Sequence, residues 1–307
     1  MRLSSRLYKK RLMPPVLCIA LIASQCLRGA ACEWPTGSPF KHICYLTSPK
    51  NSSSALPFER VDVKLCSHII LGFATVSPRY SIDLAPLGGE QALTAFAALR
   101  RRNPKIKLMI SVGGGAGDRN FKEMVAKTAR RYRFIDSARS ALEAAGLDGL
   151  DLDWEFPRIF DAVPFARLIK EMSRQFRKTA DRPLILSVAV PAPSLLVVGG
   201  YRVRLMARFV DFVNLMTYDL NTYKWYTPWV DHNSPLYARA GDPPYFNTLN
   251  VESSAELWVM LGMPKSKIMV GIPTYGLSWV LRNPEFWDVG SLAIGRHKYG
   301  GGYVNYP

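Results

Sequence analysis

The segment Leu147-Asp148-Gly149-Leu150-Asp151-Leu152-Asp153-Trp154-Glu155-Phe156-Pro157 concentrates four acids in a short apolar stretch. In a strand, side chains alternate between faces. Asp151, Asp153 and Glu155 then share one face, and Leu150, Leu152 and Trp154 share the other. Pro157 ends the strand, so Glu155 falls at its tip. Three carboxyls in line cannot all ionise at close range in a partly desolvated place, and at least one holds a proton near neutral pH. A carboxyl with a raised pKa is what general acid catalysis needs. Two readings compete: buried acids satisfied by Arg, Lys or backbone donors, and a site for a hard cation. Stacking three acids on one face costs stability with no packing gain, which favours catalysis over both.

Such a strand needs a frame. Short apolar runs at 42–47, 68–76, 107–113, 149–155, 184–191, 210–218 and 268–274 read as strands. Between them, 91–101, 121–145, 165–179 and 252–261 carry apolar residues at helical spacing. Strand and helix in alternation imply parallel strands joined by right-handed crossovers. The repetition favours an α/β fold of the (β/α)8 TIM barrel type over an open sheet. The apolar face of each strand would pack on outer helices, which turns the three acids inward and puts Glu155 at the mouth. The strand count is one short of eight, because no strong apolar run follows Thr274. Residues 221–250 form a long loop after a barrel strand, where function concentrates. Its Tyr223, Trp225, Tyr226 and Trp229 read as a binding wall.

The composition, 48% hydrophobic and 21% charged, excludes a disordered chain. A net charge of +16 would suit a polyanionic partner. However, no nucleic-acid motif accompanies it, and no nucleic-acid partner is expected. The clusters Arg100, Arg101, Arg102 and Arg130, Arg131, Arg133 read instead as solvated helix faces. At the N-terminus, Arg2, Arg6, Lys9, Lys10 and Arg11 precede an apolar run at 14–27 and the small residues Gly29, Ala30 and Ala31. That is the pattern of an export signal over 1–31, too short for an ordinary membrane span. An uncleaved signal anchor is the alternative. Secretion without an integral span is the expectation, with 32–40 as a lead-in. Cys18 and Cys26 would leave with the signal. Cys44 and Cys66 remain, and export suits a bridge between them, with Cys32 left over. Asn51-Ser52-Ser53 is a glycosylation sequon.

The acidic segment resembles the signature of the family-18 glycoside hydrolases, the chitinases and their relatives: Asp-x-x-Asp-x-Asp-x-Glu at the end of the fourth barrel strand. Asp148, Asp151, Asp153 and Glu155 complete it. Ser111-Val112-Gly113-Gly114, Met216-Thr217-Tyr218-Asp219 and Gly271-Ile272-Pro273-Thr274-Tyr275-Gly276 resemble the motifs of strands three, six and seven. Asp231-His232-Asn233-Ser234-Pro235-Leu236 resembles the loop after the sixth, and Cys44 with Cys66 matches a pairing in the family.

The resemblance implies substrate-assisted hydrolysis, an exception to the two-carboxylate scheme of ordinary glycosidases. Glu155 would be the proton donor. Asp153 would orient the substrate's acetamido nitrogen, Asp151 would share a proton with Asp153, and Tyr218 would bond the acetamido oxygen. Asp219 would hold a sugar hydroxyl, and Tyr45, Met216, Trp154, Asp148 and Tyr275 would add substrate contacts. The implied substrate is chitin or N-acetylglucosamine oligomers, cut from ends or interiors, by a monomer. No cofactor and no metal are implied. His42, His68, His232 and His297 show no ligand spacing, which disfavours a metal-dependent deacetylase.

The pattern departs from the family at Gly115, where a Trp is usual; at Ser48-Pro49, where Asn-Trp is usual; and at Leu277, where a polar residue is usual. Strands one to seven occupy 41–276, and 277–307 resembles the start of an α+β insertion. The resemblance places the rest of that insertion and an eighth, Trp-bearing strand beyond Pro307, so that the chain reads as an incomplete barrel. The alternatives are a chitin-binding lectin on the same frame, which Glu155 argues against, and an inactive truncated fragment.

Overall fold

The computed structural model describes residues 40–48, 56–115, 119–178 and 182–305. The expected signal, Cys32, Pro49 and the Asn51 sequon lie outside the described residues.

The frame is an incomplete (β/α)8 barrel. Seven parallel strands follow in the order β1 (Ile43–Thr47), β2 (His68–Val76), β4 (Lys107–Gly113), β5 (Gly149–Asp153), β6 (Ile185–Pro191), β7 (Phe212–Met216) and β8 (Ile268–Val270). A two-residue β3 (Ile82–Asp83) pairs antiparallel with the end of β2. Among the described residues, β1 and β8 are the two edges of this sheet. The helices are α1 (Gly89–Ala97), α2 (Phe121–Ala126), α3 (Thr128–Ala144), α4 (Ala162–Phe176), α5 (Ser194–Gly200), α6 (Val203–Met206) and α7 (Val251–Met260).

The inner strands β2 and β4 to β7 are buried on both faces, as parallel strands under helices must be, whereas the edges β1 and β8 are partly exposed. Outward residues such as Ile69, Leu71, Ile110, Leu150, Leu152 and Val188 join Phe134, Phe165, Ile169 and Met172 of the helices in the main core. Ile70, Met109 and Phe212 form a smaller apolar floor inside the curl, with Ile43, Ile185 and Met269 against it. One step up the strands, the inner face turns polar: Ser111 is in register with Asp151, and Asp151 with Ser187.

Three expectations need correction. The helix expected over 121–145 is two helices, because Lys127 is extended, at φ −121° and ψ 135°. The break leaves the Val125 carbonyl without a helical partner, and the buried Arg131 donates to it. Arg131 also pairs with Glu171 at 2.7 Å, so this member of the basic clusters is structural rather than solvated. The last barrel strand ends at Val270 instead of 274. Beyond it, β9 (Tyr275–Leu277) pairs with β12 (Tyr303–Asn305), and β10 (Trp279–Leu281) with β11 (Ala293–Arg296). These strands of three or four residues are too short to leave a periodicity in sequence.

Candidate active site

Asp151 is fully buried, and donors surround its carboxyl. Ser187 and the Asn214 amide donate to Oδ1, at 2.6 and 3.1 Å. Ser111 and the Tyr45 hydroxyl donate to Oδ2, at 2.7 and 2.9 Å. Asn214 also donates to the Tyr45 oxygen at 2.8 Å. Strand register explains the set: β4 and β6 flank β5, and Asn214 lies on the next strand over. Burial raises the pKa of Asp151 above the ordinary carboxylate value, and the four donors pull it back. The hydroxyl of Tyr45 is tied into this cluster, and burial beside Asp151 raises its pKa well above the usual phenol value.

Asp153 is the next inward residue. It is 4% exposed, and its Oδ1 has no hydrogen-bond partner among the described residues. Burial, then the charges of Asp151 and Glu155, push its pKa well above the normal range. Burial thus favours the protonated form of its carboxyl. No hydrogen bond joins Asp151 to Asp153. The strand ends at Asp153 rather than at the expected 155, and Glu155 lies half-buried two residues past its end. It precedes a cis peptide bond to Phe156.

Glycine makes one close approach possible, and a second glycine sits beside Glu155. Gly113 sits at φ +120°, and a β-carbon there would come within 1.9 Å of the Asp153 carbonyl oxygen. A β-carbon at Gly115 would stand 3.6 Å from Oε1 of Glu155. The residue where the family usually carries Trp is thus beside the acid.

The segment after β7 forms the opposite wall. Asp219 adopts a left-handed φ of 55°, a region Asp tolerates better than most residues. The Asn233 side chain holds it, accepting the Asp219 N–H at 2.8 Å, while Ser234 donates to the Thr217 carbonyl at 2.6 Å. The 231–236 segment is therefore a clasp on the Tyr218-Asp219 corner. A β-carbon at Gly271 would come within 2.8 Å of the Tyr218 ring, so glycine there lets the ring lie flat against the strand. Tyr218 meets Tyr275 edge-on at 6.2 Å between centroids, and the Tyr275 hydroxyl bonds the Asp219 carboxyl. Burial raises the pKa of Tyr218, with the Asp153 and Glu155 charges adding to it, so it is a donor throughout the neutral range. Met216 shares the inward face with Asn214 and is half-buried.

Two expected sugar contacts belong to the scaffold instead. Trp154 faces outward, 4% exposed, stacked on Phe121 and edge-on to Phe165. Alternation on the strand puts it in the helix-facing core. Asp148 lies at the base of β5, roughly 10 Å of strand below Asp151. There it takes Arg100, Arg182 at 2.9 Å and the Leu108 N–H at 2.8 Å. It fixes the start of the strand rather than touching substrate. Ser111, Ser187 and Asn214 were not singled out in sequence; each falls beside Asp151 once the strands are aligned, and Ser111 was already visible within a motif. Trp225, Tyr226 and Trp229 stand well exposed on the long loop. Among the described residues no cluster of His, Cys, Asp or Glu suits a metal ion.

Residues 41–301 match the model of the glycosyl hydrolases family 18. The chain is 37% identical to mouse Chitotriosidase-1 over 276 residues, which is 86% of this chain and 58% of that protein. It thus spans little more than half the length of that relative. The immunomodulatory active chitinase of Trichuris suis superposes with a TM-score of 0.82 at 31% identity, covering 87% of this chain and 76% of that one. Human YKL-39, described as a pseudo-chitinase with retained chitooligosaccharide binding, superposes at 0.81 with 30% identity and the same coverage.

Proposed function

This chain belongs to the glycosyl hydrolases of family 18, and from that premise we propose that it hydrolyses β-1,4-linked N-acetylglucosamine polymers with Glu155 as the proton donor. One observation carries the reading: Asp151, saturated by four donors, lies beneath a desolvated Asp153, which feels the charge of Glu155 just past the end of the strand.

Glu155 protonates the leaving oxygen while the substrate's own acetamido oxygen attacks the anomeric carbon. Asp153 accepts the acetamido N–H, orients the group and offsets the positive charge of the oxazolinium ring. A turn of the Asp153 carboxyl towards Asp151 would let the two share the proton that burial keeps on the pair, so negative charge reaches Asp153 as that ring forms. Tyr218 donates to the acetamido oxygen, and Asp219, held by Tyr275, takes a sugar hydroxyl. Tyr45 and Met216 line the approach. The Glu155 carboxylate then removes a proton from water as it opens the ring, which regenerates the acid. The chain needs no nucleophile of its own.

Export is part of the same proposal: the basic-then-apolar N-terminus and the Cys44–Cys66 bridge fit a secreted monomer. Among the described residues no helix is long and apolar enough to cross a membrane. A non-catalytic chitin-binding role is the second reading, favoured by the likeness to YKL-39. Replacing Glu155 by Gln removes the proton and keeps the shape. Hydrolysis of a chitin hexamer should fall by at least about 10²-fold, with oligomer binding retained. Parent-level hydrolysis by the Gln variant would disprove the assignment, and a parent that binds but never cleaves would establish the lectin reading.

A further inference from the structure

A cavity of about 630 Å³ opens beside the acid and plays no part in the chemistry above. Glu155 lines it, whereas Asp153, Tyr218 and Tyr45 do not. It therefore lies beyond Glu155 as seen from the acid floor. Its other walls come from the start of α2, the turn after Glu155, and α5. Three cations face it: Arg119, Lys122 and Arg158. All three are exposed. Among the described residues none of them has an acidic partner within ion-pair distance. The other acid in the wall, Asp161, is 7% exposed and accepts the Arg158 backbone N–H at 3.0 Å.

This inference rests on the proposed hydrolysis. The sugar that is attacked sits where Asp153 and Tyr218 hold its acetamido group. The proton donor reaches the oxygen that joins that sugar to the group it expels, so the departing sugar lies alongside Glu155, on the side away from Asp153 and Tyr218. We infer that this cationic cavity receives the departing part of the chain and selects it by charge, accepting acetylated units and rejecting deacetylated ones. The two differ by one positive charge, since an acetamido group is neutral and a free sugar amine is protonated in mildly acidic solution. An ammonium placed about 5 Å from two uncompensated cations in a largely hydrated cavity is disfavoured by about tenfold. The effect weakens with salt, as interactions among exposed charges must.

The triple variant Arg119→Gln, Lys122→Gln, Arg158→Gln changes exposed side chains only. Partly acetylated chitosan is digested by parent and variant, and the sugar at each newly formed non-reducing end is identified by mass spectrometry. In the parent these ends are expected to be acetylated far above the composition of the polymer. In the variant the share of deacetylated ends should rise about tenfold, and high salt should move the parent the same way. An equal share of deacetylated ends in parent and variant would overturn the inference. Cleavage of the fully acetylated hexamer is the separate control on the proposed function. If the parent cannot cleave it, that function fails and the inference is decided by calorimetry. The ratio of affinities for a glucosamine tetramer and an N-acetylglucosamine tetramer should then favour the amine about tenfold more in the variant. An unchanged ratio would overturn the inference on its own.

Discussion

Asp153 is 4% exposed, with one oxygen unpartnered and two other acids beside it. Its raised pKa means the folded state binds a proton more tightly than the unfolded chain does. Stability from this group is therefore full below the unfolded carboxylate pKa and is lost as pH rises through the folded value. Asp153→Asn should raise the denaturation midpoint at pH 7 and abolish hydrolysis, with the stability gain vanishing below about pH 4. A midpoint lowered at pH 7 would contradict the account. His68 has the opposite sign. Burial, and then Lys41 and Lys107, lower its pKa to about 4. The folded protein excludes a proton that the unfolded chain takes up, so stability falls as pH drops from about 6.5 to 4, by on the order of 3 kcal/mol. His68 is 8% exposed and meets Phe212 edge-on. Urea midpoints measured across that range should decline less steeply for His68→Gln than for the parent.

At the scale of elements, each strand works by what its register puts next to β5. Ser111, Asp151 and Ser187 line up across three strands, so a slip of one residue would turn every donor into the outer core. Helices fix that register from outside. Trp258 of α7 is fully buried and donates to the Pro191 carbonyl at the end of β6, at 3.0 Å. The N-terminus of α7 is capped by Asn250, whose side chain accepts the Ser253 N–H at 2.8 Å. Asn250→Ala should cost about 1 kcal/mol, read from thermal unfolding, with the pH profile of hydrolysis unchanged in shape. A shifted profile would mean that the cap reaches the site through β6.

For the molecule as a whole, the disulfide Cys44–Cys66 ties β1 to the segment entering β2, with a Cα separation of 6.0 Å. It staples a strand that, among the described residues, has one neighbour in the sheet. Changing both cysteines to Ser should lower stability by about 3 kcal/mol, on the loop-entropy argument. A urea midpoint equal to the parent's would show the bridge to be idle. The fold class and the line of three acids were legible in sequence, because strand periodicity and the position of Pro157 suffice to orient them. The same alternation put Trp154 on the outer face, and the structure finds it there, packed against Phe121 and Phe165 in the core. Asp148 could not be sorted from its neighbours by spacing, since only the arrival of Arg100 and Arg182 from distant segments makes it an anchor. Sequence alone thus determined which residues share a strand face, a property fixed by backbone geometry within a few residues. Tertiary structure alone decided which groups meet across strands: the four donors on Asp151, the clasp on Asp219 and the cations beyond Glu155. Those contacts join residues far apart in the chain, and no local pattern encodes which of many inward side chains will be neighbours.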